Sequence, residues 1–327
     1  MKKKALITGI TGQDGSYLTE LLIKKKYQVH GLVRRVALED ENHRLWRLRH
    51  LLSKITLHPA SLESYASLVK IIQKIKPTEV YHLGAQSYVD YSFKDEFSTL
   101  NTNINGTHYI LSALKEFSPK TKFYFAGSSE MFGKVKETPQ TEKTPFYPRS
   151  VYGISKVAGY DLTRNYREAY NMYCCSGILF NHESPRRGFE FVTRKITHAV
   201  ARIKFGIQKE LKLGNIDAKR DWGHAADYVE AMWLMLNQRK PNDYVISTGK
   251  QFSVKDFAKL AFELVDLDYR KFVKIEKNLY RPSEVRSLLG DCGKAKRELK
   301  WRPKYDFKRL VKDMITSDLK FVEKEGY

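Results

Sequence analysis

Short apolar runs alternate with amphipathic stretches through the first half of the chain. Lys4-Ala-Leu-Ile-Thr8 reads as a strand, and residues 14–26 follow as a helix with Leu18, Leu21 and Leu22 facing inward. Residues 27–33, 55–59, 79–83, 122–126 and 172–180 repeat the strand pattern, and helical patterns at about 63–75, 99–117 and 152–171 join them. This alternation predicts a parallel sheet covered on both faces, an α/β fold of the Rossmann-type, doubly wound kind. Residues 36–54 are uneven and rich in Arg, Leu and His. They are expected to form a loop with a helical turn, mobile unless a neighbour orders it.

After Asn181 the rhythm changes. Helical patterns at about 190–205, 224–237, 253–265 and 306–324 are interleaved with short strands near 210–213, 244–248 and 271–276. The expected organisation is a nucleotide-binding domain over residues 1–180 and a smaller α/β lobe mainly over 181–327. The chain is expected to cross back to the first domain at about 215–250.

Other signals narrow the class. No apolar stretch approaches the roughly 20 residues that span a bilayer, and Ala5-Leu-Ile-Thr8 is too short for a signal-peptide core. Cys174, Cys175 and Cys292 offer neither a disulfide framework nor a metal-ligand spacing. Buried thiols in a reducing cytoplasm are expected instead, with no metal site. The formal net charge is +21, from 58 basic and 37 acidic residues. Nucleic-acid binding is one reading of that excess. A Lys-rich surface with a pocket for a polyanionic nucleotide is the other. The basic residues are dispersed, without a long Lys/Arg run, which favours the second reading. Neither nucleic acid nor membrane is expected as a partner.

The turn after the first strand is Gly9-Ile-Thr11-Gly12-Gln13-Asp14-Gly15. Glycines there permit a tight turn and bring a pyrophosphate close to a helix N-terminus. A Gly-rich turn alone is a weak signal, but between the strand and helix of a βαβ unit it is a strong one. The second strand ends in Arg34-Arg35, where an NAD site would place an acidic residue. Guanidinium groups there suit the 2′-phosphate of NADP; the alternative is that both merely cap a strand end. Leu83-Gly84-Ala85-Gln86-Ser87 closes the fourth strand with small residues that leave room for ribose and nicotinamide.

Acid–base candidates gather after the fifth strand, in Ser128-Ser129-Glu130. Tyr152 and Lys156, at i and i+4, share one helical face. An ammonium near a phenol favours phenolate, so Tyr152 can take a proton from a sugar hydroxyl while hydride leaves the same carbon. A Ser hydroxyl beside it can share that proton. Hydride chemistry needs no more, so the Glu130 carboxylate implies a further step.

Together these features resemble the extended short-chain dehydrogenase/reductase family. The runs Ala5 to Leu18, Thr144-Pro-Phe-Tyr-Pro-Arg-Ser150, Gly177 to Gly188, Asp217-Ala-Lys-Arg-Asp-Trp-Gly-His224 and Tyr280-Arg-Pro-Ser-Glu284 are similar to those of its GDP-mannose 4,6-dehydratases, from about residue 4 to 315. The resemblance implies conversion of GDP-mannose to GDP-4-keto-6-deoxymannose with NADP bound throughout. It implies Ser128, Glu130, Tyr152 and Lys156 as the catalytic set, with Glu130 as base toward C5. His182 and Arg187 would face the cofactor. Ser87, Ser129, Asn181, Glu183 and Lys195 would line the sugar and diphosphate. Arg220 would meet the diphosphate, and Arg281 and Glu284 the nucleoside. Each polar loop residue also has a plainer reading: Arg220-Asp221 as a local ion pair, His182 as a satisfied loop histidine, Asn181 as a turn residue.

Departures from the family pattern are specific. Ser61-Leu62 stands where the family has Asp-Leu toward adenine, leaving Leu62 as the matching contact. Val36-Ala37 replaces two serines after Arg34-Arg35, and the segment before Tyr280 is shortened. Ser128 stands where Thr is usual, and Ser129 where a related dTDP-glucose dehydratase has Asp. The family implies a homodimer or homotetramer. Open alternatives are the same dehydration on another GDP-sugar such as a GDP-manno-heptose, a GDP-4-keto-sugar reductase, and a non-catalytic NADP-binding scaffold.

Overall fold

The computed structural model describes residues 2–280, 283 and 285–324. Its centre is a seven-stranded sheet of β1 (Lys4–Thr8), β2 (Gln28–Val33), β3 (Ile55–Pro59), β4 (Glu79–His82), β5 (Lys122–Ser128), β6 (Cys174–Leu179) and β7 (Tyr244–Ile246). The spatial order is β7-β6-β5-β4-β1-β2-β3, and every pairing is parallel. The chain therefore winds outward from β1 to β3, then returns to the other side at β4. That reversal opens a crevice at the carboxyl ends of β1 and β4, where open α/β sheets bind ligands.

The period of the strands explains how both faces are covered. Along β5, Phe123 and Phe125 enter one apolar core while Tyr124 and Ala126 enter the other. Cys174 and Cys175 on β6 split in the same way, and both thiols are free and buried. Helices α1 (Gln13–Lys24) and α6 (Ala225–Leu236) cover one face through Leu18, Leu22, Val229 and Met232. Helices α2 (Tyr65–Ile75), α3 (Gly106–Phe117) and α4 (Val151–Tyr170) cover the other through Leu68, Ile110 and Tyr160. Ser64 and Ser150 cap α2 and α4 by accepting from Ser67 and Gly153 amides, while Lys76 and Asn171 end them in the left-handed conformation.

A third core lies beyond β6. It joins α5 (Val192–Lys204), α7 (Val254–Glu263) and α8 (Phe307–Lys324) through Ile196, Phe257, Phe262 and Met314. Three two-stranded pairs complete this half: Asn181–Glu183 with Trp222–His224, Lys219–Arg220 with Phe252–Ser253, and Leu211–Leu213 with Val273–Ile275. Among the described residues no helix is long and apolar enough to cross a membrane.

Two segments differ from expectation. Residues 36–54 form helical turns at Val36–Glu39, Glu41–Arg44 and Arg49–Lys54, and they bury Leu45, Leu48 and Leu51 against the α1 side of the sheet. Three leucines spaced by three residues anchor a stretch whose polar remainder hides that pattern. The expected helix at 99–117 is interrupted by a π turn at Asn101–Asn105, which points Asn103 inward. The polar run Asn-Thr-Asn-Ile-Asn carries no helical apolar period.

Candidate active site

The first turn is built by glycine. Gly9 has φ +70, and a Cβ on it would stand 2.8 Å from the Cα of Gly84 in the loop after β4. A Cβ on Gly15 would come within 2.4 Å of the Gly9 carbonyl. Behind this contact, the Thr8 hydroxyl accepts from the Gly84 amide (2.9 Å) and meets His82 Nδ1 (2.8 Å). His82 Nε2 in turn meets the Thr107 hydroxyl at 3.1 Å. Burial, reinforced by the Lys156 charge, pushes His82 down to about 3, so it is a neutral link in that chain.

Gly9, Gly12, Gln13, Asp14, Gly15, Leu83, Ala85 and Ser87 line a cavity at this crevice. Thr11, Gly84 and Gln86, also expected to meet the cofactor, are not among its lining residues. Leu62 packs behind it, against the bare Cα positions of Gly84 and Gly106. Arg34 and Arg35 are exposed at the end of β2, and Arg35 pairs with Glu39 at 3.0 Å. Glycine-bared backbone at the N-terminus of α1 fits a dinucleotide pyrophosphate, and Lys156 with the small β4 loop fits its nicotinamide half.

The acid–base residues close the same cavity from β5 and α4. Ser128 ends β5, and its hydroxyl accepts from the Glu130 amide at 3.2 Å. A Cβ on Gly153 would stand 2.8 Å from the Glu130 carbonyl, so the first turn of α4 packs tightly on that turn. Ser128, Glu130 and Tyr152 line this cavity and also a second, outer one, as do Ser87, Asn181 and Arg187. The two cavities therefore meet at the acid–base set.

One expectation is overturned here. Lys156 was expected to favour phenolate at Tyr152, yet burial pushes the Tyr152 phenol up to about 12, and the Glu130 charge adds to the rise. The Ser128 hydrogen bond and the Arg187 charge oppose that rise without cancelling it. Lys156 sits 5.8 Å from the Tyr152 ring centroid and donates instead to the Ala126 carbonyl at 2.9 Å. Burial brings its ammonium down to about 8. Burial thus favours the protonated form of Tyr152.

The loop after β6 carries the remaining groups. Pairing of Asn181–Glu183 with Trp222–His224 sets His182 opposite Gly223. Both His182 nitrogens are engaged, Nδ1 with the Phe180 carbonyl and Nε2 with Asp14, each at 2.7 Å. Its ring stacks on Tyr228 at 4.5 Å. It is a satisfied loop histidine and a cavity-lining residue at once. Burial works against its charged form, but the Asp14 charge and hydrogen bonds outweigh it and raise its pKa, while Asp14 is lowered. Gln13 ties the same loop down by donating to the His182 carbonyl (3.1 Å) and accepting from Ser184 (2.8 Å).

In the outer cavity, Asn181, Glu183, Lys195 and Arg220 share the lining with Arg187. Glu183 is buried, accepts from Thr193 at 2.6 Å, and lies 3.1 Å from Arg187 Nε. Arg220 donates to the Lys219 carbonyl at 2.9 Å. The neighbouring Asp221 carboxylate accepts from Thr248 and Gly249. Ser129 is buried and lines the cofactor-side cavity but not the outer one, where a sugar contact was expected. Arg281 and Glu284 lie outside the described residues.

Sequence reasoning missed Asn103. From the π turn its side chain bridges the Gln86 backbone (2.8 and 3.0 Å) to the Ser155 hydroxyl (2.9 Å), joining the β4 loop to α4. The break in apolar period at 101–105 was the one available signal. Arg194 was also missed. It is buried with Asp318 at 2.7 Å and donates to the Pro185 and Arg187 carbonyls of the loop.

The arrangement places a dinucleotide crevice beside an outer cavity whose cations suit a diphosphate, with a hydroxyl, a phenol and a carboxylate at their junction and an ammonium on the crevice side. Known proteins share the sequence and the fold. The sequence model of the family described as GDP-mannose 4,6 dehydratase matches residues 6–314. The Arabidopsis thaliana protein GDP-mannose 4,6 dehydratase 1 is 50% identical over 336 residues, covering 99% of this chain and 92% of its own. The Homo sapiens GDP-mannose 4,6 dehydratase is 46% identical over 345 residues, covering 97% and 92%. In fold, the chain is similar to the dTDP-glucose 4,6-dehydratase DesIV of Streptomyces venezuelae, solved with NAD and TYD bound (TM-score 0.86, 20% identity, 99% and 98% covered). It is also similar to the Thermus thermophilus UDP-glucose 4-epimerase in complex with NAD (TM-score 0.85, 21% identity, 96% and 98% covered). The chain belongs to the GDP-mannose 4,6-dehydratase family.

Proposed function

We propose that the protein is a hydro-lyase that converts GDP-mannose to GDP-4-keto-6-deoxymannose. The observation that carries this reading is the placement of Glu130, a buried carboxylate that lines both cavities beside Tyr152. NADP, when bound, supplies a hydride acceptor, a returning hydride and, in its oxidised form, a positive charge. Tyr152 takes the O4 proton of the hexose as C4 is oxidised, with the Ser128 hydroxyl sharing that proton. Lys156 holds positive charge 5.8 Å from the phenol ring centroid. The resulting 4-ketone acidifies the C5 proton, which Glu130 accepts. The C6 hydroxyl then leaves as water, taking a proton at the Glu130 end of the site; with C6 reduced in its turn, C5 takes the proton that Tyr152 held, which restores both side chains. One water is lost and there is no net redox change.

His182 and Arg187 face the cofactor, and in the outer cavity Lys195 and Arg220 hold the diphosphate, while Asn181 and Glu183 meet sugar hydroxyls. Arg281 and Glu284 complete this proposal at the nucleoside end. Arg34, exposed at the end of β2, supports NADP over NAD. Comparing the two cofactors on the wild type and Arg34→Ala checks that preference. The exposed Tyr91, Phe97 and Ile154 lie on mutually contacting elements and support self-association into a homodimer. Free buried thiols fit a cytoplasmic location. In this reading the lobe division falls near residue 180, with residues at about 215–250 returning to the first domain.

Incubation of purified enzyme with GDP-mannose, followed by mass spectrometry, tests the function. The expected result is loss of one water from the nucleotide sugar with no net consumption of NADP. Unchanged GDP-mannose would sink the proposal.

A further inference from the structure

Arg47 stands outside every site described above, yet it touches both halves of the active site. Its Nε donates to the Arg186 carbonyl in the loop after β6 (2.7 Å), and its Nη1 donates to the Thr11 carbonyl in the glycine turn (3.3 Å). It projects from the segment that begins at Arg34 and is anchored by Leu45, Leu48 and Leu51. Its guanidinium also lies over the Trp46 ring at 4.3 Å. Among the described residues no carboxylate forms an ion pair with it within 4.0 Å. Burial lowers its pKa to about 10; Glu190 opposes that, and Arg194, Arg187 and Arg186 add to it. Of these, Arg186 pairs with Glu20 (2.5 Å), Arg187 with Glu183 (3.1 Å) and Arg194 with Asp318 (2.7 Å), so a polyanion arriving beside the glycine turn chiefly stabilises the Arg47 charge.

We propose that Arg47 is a positioning residue that couples occupancy of the glycine turn to the setting of the loop carrying Asn181, Glu183 and Arg187. The proposal rests on the reading of the two cavities as cofactor and GDP-sugar sites. The planar fork serves two carbonyls on different elements at once, a geometry that lysine cannot reproduce. A dinucleotide seated at the turn stabilises the Arg47 charge, and Arg47 in turn holds the loop that lines the outer cavity. The two ligands then bind with positive coupling, and by linkage each tightens the other by the same factor.

Calorimetric titration of GDP into cofactor-stripped and NADP-loaded enzyme tests this. In the wild type, GDP is expected to bind about 5-fold or more tightly when NADP is present. In Arg47→Ala that ratio is expected to fall toward unity while GDP affinity of the stripped protein changes little. Arg47→Lys should lose the coupling too, although it keeps the charge; this variant also decides the question if the alanine protein does not fold. A residue that only supports the fold would shift both affinities and leave their ratio alone. A wild-type ratio retained in both variants, or no coupling in the wild type, overturns the proposal. Failure of the wild type to bind GDP at all would overturn the cavity reading itself, and the coupling with it.

Discussion

Replacing Glu130 by Gln separates the two halves of the proposed reaction, and it should push them in opposite directions. The side chain is 8% exposed, and the amide is nearly isosteric, so packing is preserved. The hydrogen bond from the residue 130 amide to the Ser128 hydroxyl does not involve the carboxylate and survives. What is lost is a base for the C5 proton. General-base catalysis contributes about 10²- to 10⁴-fold, or roughly 3–5 kcal/mol of barrier, so water loss should slow by that factor. Oxidation at C4 should behave otherwise. The Glu130 charge is one of the causes that raise the Tyr152 pKa, so removing it brings the phenol down from about 12 and favours acceptance of the O4 proton through phenolate.

The assay is a single-turnover mixing experiment that follows reduced cofactor by absorbance and product by mass spectrometry. Glu130→Gln should accumulate reduced NADP at the wild-type rate or faster, and then stall. Run in heavy water, the stalled sugar should carry no solvent deuterium at C5, whereas wild-type product should. Tyr152→Phe is the contrasting control, because it should accumulate no reduced cofactor. Dehydration by Glu130→Gln at the wild-type rate would falsify the role assigned here. Absence of reduced cofactor in that variant would move Glu130 to the oxidation step.

Three further predictions follow from the packing. Arg194→Ala breaks an ion pair whose side chains are 3% and 0% exposed, leaving Asp318 with the Thr197 hydroxyl; urea unfolding should show a loss of about 3–5 kcal/mol, and a loss below the error of the extrapolation would contradict it. His182 has a pKa raised above its ordinary value of 6.5, so its stabilisation is complete below that value and fades as pH rises through the raised one. Asp14, lowered from 3.8, contributes above that value and loses its contribution as pH falls through the lowered one. The Tm advantage of wild type over His182→Asn should therefore peak between these limits, and a flat difference would refute the pairing. Gly223→Ala places a Cβ within 2.3 Å of the Tyr228 ring under His182. It should cost about 1–3 kcal/mol by overpacking and weaken cofactor binding, which melting with and without NADP would show.

Much of this architecture was legible because apolar period and turn chemistry are local. Lys4–Thr8 and Ile55–Pro59 fall where the strand pattern placed them, and the Gly9 to Gly15 turn has the strand-to-helix context that gives such turns meaning. Ser128, Glu130, Tyr152 and Lys156 were legible as residue types in order, and the fold brings them to one junction. What escaped is polar and long-range. The Arg194–Asp318 pair joins helices far apart in sequence, Asn103 acts from a turn without apolar period, and Arg47 reaches two carbonyls that no side-chain motif announces. Backbone acceptors leave no mark in a sequence, so the arginines that bind them read as surface charge.

The direction of the Tyr152 shift was also invisible, and it bears on how the reaction is controlled. Proximity of Lys156 suggested a phenol primed to ionise, but burial dominates and the Glu130 charge adds to it. Lys156 is itself depressed to about 8 and committed to the Ala126 carbonyl, so it is not enough to ionise the phenol alone. A further positive charge in the adjoining cavity, such as a bound oxidised nicotinamide would supply, would favour loss of the Tyr152 proton. Glu130 makes the same point from the other side, since its charge opposes phenolate formation and would be a liability in a simple reductase. Its place at the junction suits the proposed second proton transfer, which dehydration at C5 and C6 requires and a lone hydride transfer does not.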